Sequence, residues 1–215
     1  MIFDIETFKA AGLKQGGARP SLFQVQMNNV PGTNGVIENQ QQISFLAQAA
    51  TLPESQVDPI EVPYFGRRIK VAGERVFRDW TISVLNDEDF IVRDLFERWS
   101  NLINTMETNV TLASSAGLAV NPLLGYKCDG VRVNQYSKGG PAATDTGSED
   151  AIIRSYQFFG MFPARVDDIR LDWSQGQAIE TYNVVLSYDY WLPVNIGQST
   201  PGFTGLEPGS GPQFG

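Results

Sequence analysis

Polar and apolar residues alternate strictly along two stretches near the middle of the chain. In the first, Ile69 and Val71 fall on one side of an extended backbone and Arg68 and Lys70 on the other. In the second, Trp80, Ile82 and Val84 oppose Thr81 and Ser83. A period of two with β-branched and aromatic residues is the pattern of half-buried strands. Ala72-Gly73-Glu74 lies between them and carries a glycine able to adopt positive φ, so the spacing predicts a hairpin over residues 65–86. The period then changes. Asn86-Asp87-Glu88-Asp89 supplies an N-cap and acids for the positive end of a helix dipole. Val92, Leu95, Phe96, Trp99, Ile103 and Met106 follow at spacings of three and four, the apolar stripe of a helix that docks on a sheet.

The flanking patterns are mostly those of strands. Residues 22–30, 43–51, 56–64, 126–136, 152–166 and 179–192 have strand composition. Pro59 and Pro63 remove ladder donors from the third of these, which makes it an edge or irregular strand. Residues 31–42 and 137–150 read as polar loops, residues 110–125 as small and apolar without a clean period, and residues 1–17 as a short amphipathic piece. From Pro193 onward the chain is Pro/Gly-rich and nearly uncharged, an extended tail. The expectation is one domain over residues 1–192 and a tail over 193–215. Its class is mainly β, an antiparallel sandwich or barrel with one prominent α-helix.

Composition narrows the function classes. The 215 residues suit one sizeable domain. With 16 basic and 24 acidic residues and a net charge of −8, the chain lacks the basic excess that holding nucleic acid demands. A single cysteine, Cys128, excludes an internal disulfide, and it reads as a small buried residue. The acidic start Asp4, Glu6 is unlike a secretory leader, and no apolar run approaches the ~20 residues of a membrane span, so the chain is expected to be soluble and made in a cytoplasm.

Three blocks carry a resemblance. The first is Ala18-Arg19-Pro20-Ser21-Leu22-Phe23-Gln24-Val25. The second holds Gly66-Arg67-Arg68-Ile69, Ala72-Gly73, Asp79-Trp80 and Asn86-Asp87-Glu88. The third is Leu171-Asp172-Trp173 with the run ending Asp189-Tyr190-Trp191. In order and spacing over residues 18–191 they resemble the tail tube protein of contractile-tailed bacteriophages. The resemblance implies a structural virion protein with no catalytic site and no cofactor. Its inner sheets join across subunits into a hexameric ring barrel, and the rings stack into the conduit for DNA ejection. Closure of that kind removes the exposed edges an antiparallel sheet otherwise leaves. The implied partners are further copies of itself, a sheath protein, and tape-measure, baseplate and tail terminator proteins. DNA passes through the lumen without specific binding. The implied location is the virion, after assembly in the host bacterial cytoplasm. A tailocin or type VI secretion tube is the related alternative, and a monomeric β-barrel that binds a small ligand is the alternative of a different class.

Individual residues are weighed against that background. Arg67, Arg68 and Lys70 are either a solvated strand face or a subunit contact. Asp79 and Asp172, each beside a tryptophan, are candidates for ion pairs within the fold or across the ring. Trp80, Phe96, Trp99, Trp173 and Trp191 are expected in core or interface packing, and Asp58, Glu61 and Glu180 are expected to face the lumen. Asp145-Thr146-Gly147-Ser148 spells an aspartic-protease signature, but the chain has one copy in a Gly-rich loop and the second carboxylate must come from a symmetric oligomer, so a carboxylate hydrolase ranks third and the stretch reads as a loop. Asp145, Glu149 and Asp150 do not have calcium-loop spacing. Without histidine, His-based triads and His-ligated metals are excluded.

Overall fold

The computed structural model describes residues 17–28, 30, 31, 44, 46–111, 125–138, 152–174, 176 and 178–194. The amphipathic stretch over 1–16, the motif around Asp145, Glu149 and Asp150, and the tail from 195 lie outside these residues. The described elements are β1 (Phe23–Asn28), β2 (Ala47–Ala50), β3 (Gln56–Tyr64), β4 (Arg67–Val76), β5 (Trp80–Leu85), α1 (Ile91–Ile103), β6 (Gly130–Tyr136), β7 (Ile152–Phe159), β8 (Phe162–Val166), β9 (Thr181–Ser187) and β10 (Tyr190–Val194). All pairings are antiparallel. Sheet A runs β1-β6-β7-β10, sheet B runs β2-β5-β9-β8, and β3 and β4 form a separate two-stranded ribbon.

The expected mainly β architecture with one helix is what forms. Val25, Met27, Val131, Val133 and Phe158 of sheet A face Trp80, Ile82, Val84, Tyr182, Val184 and Leu186 of sheet B across one core. Trp80 and Phe158 meet at 4.6 Å between ring centroids, and Tyr188 meets Phe158 edge-on at 5.0 Å. The helix buries Val92, Leu95, Phe96 and Trp99 in the same core, each worth roughly 1.5–3 kcal/mol. Trp99 also donates its indole N–H to the Tyr126 carbonyl at 2.7 Å, which satisfies the one polar group it carries inside.

Several local expectations are corrected. The predicted hairpin around Ala72-Gly73-Glu74 does not turn there; β4 runs straight through Gly73 and pairs with β3. A Cβ at Gly73 would overlap the Asp58 carbonyl oxygen, beside the register shift between Val57 and Pro59. Gly73 therefore permits close backbone approach at a bulge. The turn is Phe65-Gly66, where φ is 42° and 79°, the two positive values a two-residue hairpin turn requires. The helix begins at Ile91 behind Phe90, and Asn86 is not its cap: its backbone N–H and its Nδ2 both donate to Glu180, each at 2.9 Å. Met106 lies past the helix end and is exposed.

The two long strands expected over 152–166 and 179–192 each break in two, and each half joins a different sheet. The first crosses at Gly160, whose φ is 66°, and the second at Tyr188-Asp189. The corners are stitched together: Asp189 N donates to Phe159 O at 3.0 Å, and Lys127 pairs with the Asp189 carboxylate at 2.7 Å.

Candidate assembly surface

The β3–β4 ribbon is the unusual part of this fold, because nearly every residue in it is exposed. Directly paired residues share a face, so the register sorts the side chains. Ile60 with Val71 and Val62 with Ile69 make an apolar face, joined toward the tip by Tyr64. Pro59, Glu61, Pro63, Arg68 and Lys70 occupy the other. Isolated ribbons of two strands are marginal in water, and an exposed apolar face is a surface awaiting cover.

The root of the ribbon is held firmly. Trp80 of sheet B donates its indole N–H to Thr51 O at 2.7 Å, and Trp191 of sheet A donates its own to Glu54 O at 3.0 Å. Arg78 pairs with the Glu54 carboxylate at 3.2 Å, and Arg75 reaches the Ser55 hydroxyl. The segment between β2 and the ribbon is thus tied to both layers of the sandwich.

A second exposed apolar cluster lies on the connection from β8 to β9. Leu171, Trp173 and Ile179 are exposed there, beside a surface cleft of about 490 Å³ lined also by Arg170, Asp172 and Glu180. Asp172 accepts from the Ser174 hydroxyl at 2.6 Å and from its backbone N–H at 3.0 Å, and these two bonds hold its pKa below the ordinary carboxylate value.

The residues singled out by sequence are distributed as follows. Glu61 and Arg68 form an ion pair at 2.9 Å on the charged ribbon face, with Lys70 opposite Glu61 in register. Arg67 sits opposite Tyr64, on the apolar side. Asp58 accepts from Gln56 at 2.7 Å. Asp79 is exposed ahead of β5, where with Glu54 it reinforces the burial that raises the Tyr188 pKa. Asp172 lies 3.7 Å from Arg170 in the β8–β9 connection, and Glu180 is engaged by Asn86. Trp80, Phe96 and Trp99 are core residues, and Trp191 is half-buried against that core. Trp173 is corrected as a core residue: it is 100% exposed and, among the described residues, packs in no core, since it sits in the connection between β8 and β9. The apolar ribbon face was missed because its β3 half, Ile60 and Val62, was not paired with Ile69 and Val71 by any local signal.

Among the described residues no three His, Cys, Asp or Glu side chains converge as a metal site, and no helix is long and apolar enough to cross a membrane. The two-layer sandwich with its helix is a fold shared with chains of solved contractile assemblies. The tube-terminating cap of the anti-feeding prophage has this fold, with a TM-score of 0.53 at 15% identity over 84% of this chain and 92% of that one. So does a chain in the sheath–tube complex of the PVC extracellular contractile injection system, with a TM-score of 0.50 at 12% identity over 91% and 100%. The family model described as phage tail tube protein matches residues 18–193, and the chain belongs to that family. Tail tube protein gp19 of Enterobacteria phage T4 is 30% identical over 174 residues, spanning 81% of this chain and 90% of the relative. The chain is accordingly a tail tube subunit of a contractile phage tail.

Proposed function

We propose that six copies close into a ring and that rings stack head to tail into a hollow tube through which the genome leaves. The carrying observation is the ribbon: a built, firmly rooted hairpin whose apolar face stays about half exposed among the described residues. Covering the exposed half of each of Ile60, Val62, Ile69 and Val71 gains on the order of 1 kcal/mol per side chain. The outer strands of the two sheets, β1 and β10 in one and β2 and β8 in the other, offer backbone groups for pairing between neighbours in a ring.

The outward face of sheet B suits a lumen wall. Thr81, Ser83, Thr181 and Asn183 present hydroxyl and amide groups there beside Leu85 and Val185, and Arg165 is held by Asp167 at 2.7 Å. Such a wall holds no phosphate by counterion release, so DNA slides past it. Asp58, Glu61 and Glu180 face the lumen in this reading, with Glu61 offset by Arg68 at 2.9 Å. The partners are a sheath protein outside, a tape-measure protein inside during assembly, and baseplate and terminator proteins at the ends. Assembly takes place in the host cytoplasm, and the tube is carried into the virion. The role is structural and not enzymatic, so Asp145→Ala leaves assembly unchanged.

A second reading is the tube of a related injection machine that carries protein, favoured by the fold shared with the anti-feeding prophage and PVC systems. A neighbouring gene for a DNA-packaging terminase separates the two. Polymerisation itself is tested by sedimentation velocity. The purified chain is expected to sediment as large polymers, and Ile69→Asp/Val71→Asp is expected to remain as small folded particles. A wild-type chain that stays monomeric at every concentration overturns the reading.

A further inference from the structure

We infer that the ribbon tip and the cleft between β8 and β9 are the two halves of one joint, the tip of one copy entering the cleft of the next. This deepens the tube reading and rests on it.

The root of the ribbon and the cleft lie at opposite ends of sheet B. In the β5–β9 ladder Trp80 pairs with Leu186 at one end and Leu85 with Thr181 at the other. The ribbon roots at the Trp80 end, through the bond from its indole to Thr51. The cleft closes on Thr181, at the Leu85 end. Roughly 17–20 Å of strand separates them.

Their chemistry is complementary. At the tip, Tyr64 and Phe65 stand edge to face at 4.7 Å, and Phe65 is 91% exposed. Beside them Arg67 and Lys70 have no ion-pair partner among the described residues, while Arg68 is held by Glu61. The connection over residues 167–180 carries four carboxylates, Asp167, Asp168, Asp172 and Glu180, against one cation, Arg170. Asp167 is neutralised from outside by Arg165, so the excess is presented by the others. Within the cleft Leu171, Trp173 and Ile179 give an apolar seat for an aromatic ring, and the fully exposed Trp173 indole offers its face to a guanidinium. Two tips meeting each other would set cation against cation. A tip meeting a cleft pairs opposite charges and covers both exposed aromatic clusters.

Joining unlike surfaces leaves one tip and one cleft free after every addition. That is a heterologous interface, and it propagates as an open stack.

The test uses full-length chains, with melting curves to confirm that each variant folds. Arg67→Glu/Lys70→Glu disables the tip, and Asp172→Lys/Trp173→Ala disables the cleft. Each alone is expected to lose all species larger than a single ring in sedimentation velocity. Mixed after separate purification, the two are expected to form paired particles and nothing longer. Phe65→Cys/Ile179→Cys is expected to give a ladder of oxidised multimers that neither single cysteine gives. If the cleft variant stacks like wild type, or the ladder is absent from stacked material, the tip lands elsewhere and this assignment falls while the tube reading stands. If wild type never stacks, both fall.

Discussion

Trp191 reaches back 137 positions to donate its indole N–H to the carbonyl oxygen of Glu54 at 3.0 Å. The bond ties the last strand of sheet A to the root of a ribbon that belongs to neither sheet. Trp80 does the same from sheet B through Thr51. Trp191→Phe keeps the ring against Tyr156 and deletes the donor. We expect a loss of about 1 kcal/mol in urea unfolding, the usual net value of one hydrogen bond. Polymer formation should fall further than stability does, because the freed ribbon must be reoriented at each joint. A variant that loses stability and polymerises normally contradicts the anchoring role.

The sheet-switching corner at Gly160 has a sharp steric signature. An added Cβ there would overlap the Asp189 carboxylate, and the φ of 66° is itself costly for an L side chain. Gly160→Ala is expected to destabilise by about 2 kcal/mol, measured by denaturant midpoint. Adding Asp189→Ala removes the clash while also deleting the Lys127 pair, so the two changes should combine with less than their summed cost.

Cys128 is buried at the start of the β6 region, where its thiol donates to Asn28 O at 3.1 Å. Burial, the main cause, pushes its pKa from about 9 to about 11. The folded state therefore keeps a proton that the unfolded state gives up between those values. Stability is unaffected below about pH 9 and falls as pH rises toward about 11, by about 1.4 kcal/mol per pH unit. Burial raises Tyr182 and Tyr188 as well, which extends the decline above pH 10. Alkaline unfolding of Cys128→Ala should lack the first part of this slope, and the native thiol should resist aromatic disulfide reagents at pH 8.

Trp99 joins α1 to the segment that leads into β6. Trp99→Ala opens a cavity and orphans the Tyr126 carbonyl. A loss of about 3–5 kcal/mol is expected in equilibrium unfolding. Trp99→Phe should cost less, since most of the ring volume is retained.

Side-chain faces were legible in the sequence, and strand partners were not. The alternation of Trp80, Ile82 and Val84 with Thr81 and Ser83 names a buried face correctly whichever strands lie alongside. The prolines at 59 and 63 read correctly as marks of a peripheral strand, because a missing N–H has one structural meaning. Gly73 and Gly66 illustrate the limit. A glycine that forms a turn and one that admits a neighbouring carbonyl look alike until the opposing strand is known. Gly160 and Tyr188-Asp189 are similar cases, since a strand crossing from one layer to the other keeps its alternation almost intact. Trp173 shows the converse: a large aromatic signals burial, but not whether its own chain or another copy provides it. The resemblance over residues 18–191 supplied the family where local pattern could not. The cleft depends on residues 170 and 179 coming together across a connection, which no period encodes.

The most direct test is electron microscopy of the purified full-length chain at high concentration, with a nucleating baseplate supplied where growth requires it. The account predicts hollow filaments with a sixfold annulus in end view and a regular axial repeat. Compact single particles under every condition, from material that melts cooperatively, would contradict it.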